Sequence, residues 1–169
     1  LDADMIPKKN FLERTVGYFS KEKLAFVQIP QVYYNQDMYQ YNLDKHIPNE
    51  QDFFMRDIQA ARASINAVLH IGTNAIFRKK YVDQIGGYPT CSITEDMAVG
   101  MMLQEEGYET LFINEELVYG LSATTYADLV KQRDRWCRGN LQVIREFNPL
   151  FRKKLTLPQK IAYIDGVIY

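Results

Sequence analysis

With 169 residues, 47% of them hydrophobic and 13% aromatic, the chain has material for one domain with a real core, which excludes a disordered segment. A formal net charge of -1 argues against a general nucleic-acid binder. The near-neutral balance hides a segregation: seven acidic and no basic residues stand between Cys91 and Glu116, and nine basic against two acidic between Lys131 and Lys160. Such blocks are either solvated helix faces or, respectively, acids that handle metal or protons and a stretch that faces phosphate or anionic lipid. Two cysteines, Cys91 and Cys137, give neither a disulfide framework nor zinc-site spacing, so a reducing compartment is expected. No signal peptide is visible, and no apolar run approaches the ~20 residues that span a bilayer.

In chain order, residues 1–4 read as the end of a buried strand that delivers Asp2 and Asp4 to a loop. Pro7 then falls in the first turn of a helix with Phe11, Leu12, Val16 and Phe19 on its apolar side. Carboxylates so placed lie where open α/β sheets hold their ligands. Residues 24–29, ended by Pro30, predict a buried strand. Residues 32–47, rich in Tyr, Asn, Gln and Asp, predict a loop with its aromatics folded back. Asn49 is placed to cap a helix through Phe53, Phe54, Ile58, Ala61 and Ile65. Residues 68–78 read as two short strands hinged on Gly72, where glycine permits a positive φ or a close backbone approach. His70, within them, is expected to be packed rather than catalytic, and His46 has no visible partner.

A short helix over 81–85 is closed by Gly86 and Gly87. Thr94 is placed to cap a helix that starts at Glu95 and has Met97, Val99, Met101, Met102 and Leu103 on its apolar side. Gly107 ends that helix, 109–113 forms a strand and 117–120 another extended piece. A long helix over 126–147 is stopped by Asn148 and Pro149. After the cluster Arg152, Lys153 and Lys154, the residues Leu157, Ile161, Ile164 and Ile168 recur near helical spacing. That is the pattern of a helix on a membrane surface, or else of a C-terminal core helix.

Three motifs can carry chemistry. Asp2-Ala3-Asp4 brings two carboxylates, one residue apart, toward a hard cation, and Mg²⁺ takes about one or two carboxylates plus phosphate oxygens. In Thr94-Glu95-Asp96, the last residue is the candidate general base, because direct displacement at a sugar carbon needs a carboxylate opposite the leaving group. The alternative for that motif is a capped helix start and nothing more. Gln132, Arg135 and Trp136 stand at i, i+3 and i+4 on a helix. An amide, a planar guanidinium suited to phosphate and an indole able to stack on a pyranose ring together suit an anionic sugar donor. A Trp on a helix is otherwise usually core, but Arg133, Arg135 and Arg138 are not how a core face is built.

The order DxD, TED and QxxRW resembles the processive family 2 glycosyltransferases, which include cellulose, chitin and hyaluronan synthases, and among them the bacterial cellulose synthase catalytic subunits. Residues 27–31 resemble a VQTPQ stretch with Ile29 in place of Thr. Residues 48–54, PNEQDFF, are close to the segment that follows it, and 69–73 resemble an FFCGS motif with His70 and Ile71 in place of Phe and Cys. The resemblance implies a GT-A-type α/β fold, a Rossmann-like mixed sheet flanked by helices. Residues 1–150 would be its C-terminal part, on the acceptor and metal side. Residues 151–169 would begin an amphipathic interfacial helix leading to an absent transmembrane region.

The resemblance further implies inverting, metal-dependent transfer of glucose from UDP-glucose to the end of a β-glucan. Asp2 and Asp4 would hold Mg²⁺ or Mn²⁺, Asp96 would be the base and Glu95 its neighbour toward substrate. Gln132, Arg133 and Arg135 would serve the diphosphate, and Trp136, Gly72 and Thr73 the acceptor. The place implied is the cytoplasmic face of the plasma membrane, in company with accessory synthase subunits. A synthase of another β-linked polymer, a β-1,3-glucan or an N-acetylglucosamine polymer, remains an alternative, as does a non-catalytic binding fragment. The uridine-binding half is not among these residues, so the isolated chain is expected to bind UDP poorly and to make no polymer.

Overall fold

The strand β2 (Leu24–Gln28) is buried at every position and paired along both edges. Its neighbour β4 (Ala75–Phe77) runs antiparallel and β5 (Glu109–Phe112) parallel, so Phe26 lies between Phe77 and Thr110. A strand covered on both faces carries a continuous apolar run rather than an alternation, as Leu24 to Val27 do. Its one polar member, Gln28, has its amide nitrogen 2.9 to 3.1 Å from the carbonyls of Ile29, Thr73 and Asn74. A second sheet has β6 (Val118–Gly120) at its centre, antiparallel to β1 (Ile6–Pro7) and parallel to β3 (Val32–Tyr33). This computed structural model describes residues 1–90 and 92–168; Cys91, Tyr169 and the side chain of Ile168 lie outside it.

Around the sheets lie α1 (Phe11–Val16), α2 (Met38–Asn42) and α3 (Gln59–Ala63), the last preceded by a wide π turn (Phe54–Ile58). Then come α4 (Lys79–Gln84), α5 (Glu95–Glu105), α6 (Tyr126–Glu146) and α7 (Leu157–Ile168). Helix α5 is the hub. Val99 and Leu103 pack toward Phe26 and Phe112 of the sheet, while Met97 and Met101 pack against Val143 of α6 and Tyr163 of α7. A helix with core on both sides is apolar nearly all round, and each such side chain contributes roughly 1.5–3 kcal/mol of burial.

Several expectations from sequence are corrected. Residues 1–5 form no strand; Asp2 and Asp4 lie in a turn ahead of β1. Pro7 lies in β1, an edge strand that tolerates its missing N–H, and the helix begins only at Phe11 with Leu12 and Val16 exposed. Residues 32–47 hold β3 and α2 rather than a bare loop. Asp37 starts α2 with a reciprocal capping box, its carboxylate accepting from the Gln40 N–H while Gln40 reaches back to the Asp37 N–H.

Residues 67–71 run without a strand partner. Side-chain amides replace the ladder there: Gln59 bonds both the N–H and the C=O of Leu69, and Gln104 donates to the Val68 carbonyl. In α7, Leu157 and Ile161 of the aliphatic spacing face outward and Ile164 is half-buried, while Gln159, Ala162, Tyr163 and Gly166 face in; the side chain of Ile168 lies outside the described residues. The inward set wins because its polar atoms find partners: the Tyr163 hydroxyl donates to Gln104 (2.7 Å) and Gln159 donates to the Asn66 carbonyl (2.8 Å).

Candidate active site

Asp96 sits in the first turn of α5, where its Oδ1 accepts the N–H of Met97 (2.8 Å). Its other oxygen faces Gly72. A Cβ at Gly72 would lie 2.9 Å from Asp96 Oδ2, and the backbone there has φ +82°, so glycine is required on two grounds. Burial pushes the Asp96 carboxyl up from 3.8 to about 6, with Glu95 and Asp2 adding to the effect and the backbone N–H groups opposing it. A carboxyl so placed, with no cation within ion-pair distance among the described residues, can both hold and release a proton near neutral pH. Thr94 does not cap α5 with its side chain as predicted; its hydroxyl lies 3.3 Å from that of Ser92.

The acidic pair is drawn to the same place. The Asp2 N–H donates to Thr73 Oγ1 (3.0 Å), which sets the Asp2-Ala3-Asp4 turn beside the Gly72 loop. Asp4 Oδ2 accepts from the Leu121 N–H at 3.4 Å. The Asp2 carboxyl is raised, first by loss of water and then by Asp4, while Arg135 pulls it back. Among the described residues no third His, Cys, Asp or Glu joins them in a metal-holding group. Two adjacent carboxylates without further protein ligands fit a hard divalent cation that takes its other ligands from phosphate and water.

Helix α6 meets this site at Gly139. A Cβ there would lie 2.5 Å from Thr94 Cγ2 and 2.7 Å from its Oγ1, so only glycine lets the two helices come this close. Ser92 donates to the Gly139 carbonyl (2.9 Å), and the Ile93 N–H donates to Gln142 Oε1 (3.2 Å). Between α5, α6 and α7 a cavity of about 280 Å³ opens beside Asp96, walled by Trp136, Arg133, Ile71, Phe54 and Val167.

The α6 face on this cavity is 133, 136, 137 and 140, an i, i+3, i+4, i+7 strip. Gln132, one turn before Trp136, does not line this cavity; it lines a small neighbouring pocket with Asp37, Tyr39 and Ser122. Arg133 is ion-paired to Glu50, and its guanidinium stands 5.0 Å from the Trp136 ring centroid. Exposed Arg135 lies in the field of Asp2, with no carboxylate at ion-pair distance among the described residues.

His70 lines the cavity but is not available as a base. The Gln28 amide nitrogen is committed to carbonyls, so its oxygen accepts, and His70 Nδ1 (3.1 Å) must be the donor to it. Nε2 is then an acceptor, and the Tyr88 hydroxyl donates to it at 3.3 Å. Burial drives the His70 pKa down to about 3 and keeps the ring neutral. Sequence reasoning expected a packed histidine here, but missed Tyr88, Gly139 and Glu50. The signal for Glu50 was present, since it falls inside the PNEQDFF segment.

Residues 1–167 match the model of a family described as glycosyl transferase family group 2. The chain is 33% identical to a UDP-forming cellulose synthase catalytic subunit of Xanthomonas axonopodis pv. citri, over 99% of this chain and 24% of that protein. It is 33% identical to the corresponding subunit of Pseudomonas fluorescens, over 99% of this chain and 23% of that one. With cellulose synthase 2 of Novacetimonas hansenii the identity is 34%, over 98% and 11%. The chain thus spans a quarter or less of the length of these relatives. Mixed sheets flanked by helices, with the acidic pair, the TED helix start and the QxxRW helix at one place, agree with a GT-A-type domain. By the match over nearly its whole length, this chain belongs to glycosyl transferase family group 2.

Proposed function

We propose that the chain is the acceptor and metal side of an inverting glycosyltransferase that moves glucose from UDP-glucose to the end of a β-glucan. The observation that carries this is the placement of Asp96, a carboxyl raised to about 6, between the Asp2 and Asp4 pair and the cavity walled by Trp136. Asp96 takes the proton of the acceptor hydroxyl as that oxygen attacks the anomeric carbon. Trp136 offers a flat apolar surface for the acceptor's terminal ring. Arg135, which has no ion-pair partner among the described residues, meets the diphosphate. Asp2 and Asp4 would hold Mg²⁺ or Mn²⁺, which when bound neutralises charge on the leaving diphosphate. The relatives' names, UDP-forming cellulose synthases, support the donor class and the product.

No helix among the described residues is long and apolar enough to cross a membrane. The outward stripe of Leu157 and Ile161, together with Lys153, Lys154 and Lys160, supports a reading of α7 as lying on the cytoplasmic membrane surface.

The test is transfer from UDP-glucose by the full protein with Asp96→Asn and Trp136→Ala. Asp96→Asn should retain donor affinity and lose about 10²–10⁴-fold in single-turnover rate. Trp136→Ala should instead weaken use of a glucan end and spare the donor. Transfer at the normal rate by Asp96→Asn would leave the TED motif a helix start only. UDP-N-acetylglucosamine in place of UDP-glucose as the productive donor would move the assignment to another polymer.

A further inference from the structure

Trp136 is the single tryptophan of the chain, and one face of its ring is already occupied by the Arg133 guanidinium. That guanidinium is also ion-paired to Glu50, whose side chain is 18% exposed against 34% for Arg133. The backbone under Glu50 is pinned in turn. Its N–H donates to Asp37 Oδ2 (2.9 Å), while the other oxygen of the same carboxylate holds the α2 cap. Asp37 is 2% exposed. One residue on, the Gln51 N–H donates to Asn49 Oδ1 (3.0 Å), and the Gln51 side chain accepts from the Tyr33 hydroxyl (3.3 Å). A rigid segment thus presents Glu50 to α6.

We propose that Glu50 is a positioning residue: acting through Arg133, it locks the indole of Trp136 in one orientation, so that the free face of the ring meets the terminal pyranose of a β-glucan acceptor. The sugar in that statement rests on the transfer reading above; the clamp itself does not. A pyranose stacks well only on a ring whose plane is fixed, and a small misplacement of a reacting group costs heavily in rate. An indole on a helix has two free side-chain torsions. Arginine can hold it because its planar head stacks by its face and pairs by its edge at the same time, which lysine cannot do. A phosphate-binding role for Arg133 would require it to give up Glu50, whereas Arg135 has no such bond to lose. Glu50 and Arg133 therefore belong to the acceptor side.

With one tryptophan, the emission of this chain reports on Trp136 alone. Acrylamide quenching and fluorescence anisotropy are measured for wild type, Glu50→Gln, Arg133→Lys and the double variant, each checked for folding by circular dichroism. Each single change should raise the quenching constant about twofold or more, and the double variant should add nothing further, because both act along one path. A folded Glu50→Gln protein with wild-type quenching and anisotropy overturns the proposal, as does full additivity in the double variant. Should Glu50→Gln not fold, Arg133→Lys alone decides: unchanged quenching refutes the clamp. In the full protein, cellotetraose is then titrated as acceptor. Glu50→Gln should need about tenfold more of it for half-maximal transfer, with the KM for UDP-glucose unchanged. Equal losses toward both would refute positioning of the acceptor. The predicted quenching in this chain, together with a full protein that transfers nothing from UDP-glucose, would uphold the clamp and remove the transfer reading instead.

Discussion

Asp96→Asn should make the protein more stable at neutral pH while removing its activity, and the size of the gain follows from the site. The native carboxyl sits near 6 because burial penalises its charge, whereas its unfolded value is 3.8. Between those two values the unfolded chain has released its proton and the native one still holds it. Stability contributed by this group is thus present below pH 3.8 and falls as pH rises through about 6. At about 1.4 kcal/mol per pH unit, the gap amounts to about 3 kcal/mol above pH 6, an upper figure because the carboxyl keeps some solvent. Asparagine keeps the shape and still accepts the Met97 N–H but never charges. Urea unfolding followed by circular dichroism at pH 4, 5, 6, 7 and 8 should give near-equal stabilities at pH 4 and an advantage for the variant of about 2–3 kcal/mol at pH 8. Other titrating groups cancel in the difference. In thermal melts that gain corresponds to roughly 4–12 °C for a chain of this size. A constant difference at every pH, or a variant less stable than wild type at pH 8, would refute the argument that burial sets this carboxyl.

Gly72→Ala adds a methyl 2.9 Å from Asp96 Oδ2 at a positive φ, so it should cost about 1–3 kcal/mol in urea unfolding and cut transfer more than donor binding. Gly139→Ala puts its Cβ 2.5 Å from Thr94, so α6 must move off the TED turn. Lower stability by about 1–3 kcal/mol together with a loss of transfer is expected, and an unchanged melt would contradict the close approach. Replacing outward Leu157 and Ile161 by Ser should leave folding within about 0.5 kcal/mol while lowering sedimentation with anionic lipid vesicles. Equal vesicle binding by the two proteins would remove the membrane-surface reading of α7.

What could be read from sequence was whatever is encoded in local pattern. The continuous apolar run of 24–27 gave β2, the glycine at 107 ended α5 with φ +81°, and α6 was placed within a residue of its bounds. What could not be read was encoded between distant residues. The segment 67–71 looks like a strand because its residues are apolar, yet its backbone is satisfied by Gln59 and Gln104, and no local window contains that fact. In α7 the aliphatic spacing was plain, but which face docks was decided by polar partners, Gln104 for Tyr163 and Asn66 for Gln159, that lie far upstream. Helical spacing also put Gln132 beside Trp136. An offset of four residues leaves two side chains near each other, but the cavity takes only the narrower strip through 133, 136 and 140.

The same distinction explains which charges the site leaves available. Arg133 and Glu50 neutralise each other, His70 is held neutral between Gln28 and Tyr88, and Arg62 answers Asp165. Asp2, Asp96 and Arg135 have no counter-charge at ion-pair distance among the described residues, although each feels the field of another. Two acids without an ion-pair partner among the described residues, held in one region, cost energy. The Asp96 carboxyl carries the measurable part of it. On the function proposed above, a divalent cation at the acids, a diphosphate at the guanidinium and a proton on Asp96 would lower that energy. A motif search finds all three residues, but only the contacts separate them from Arg133, which stands in the same run of helix and carries the same charge to a different task.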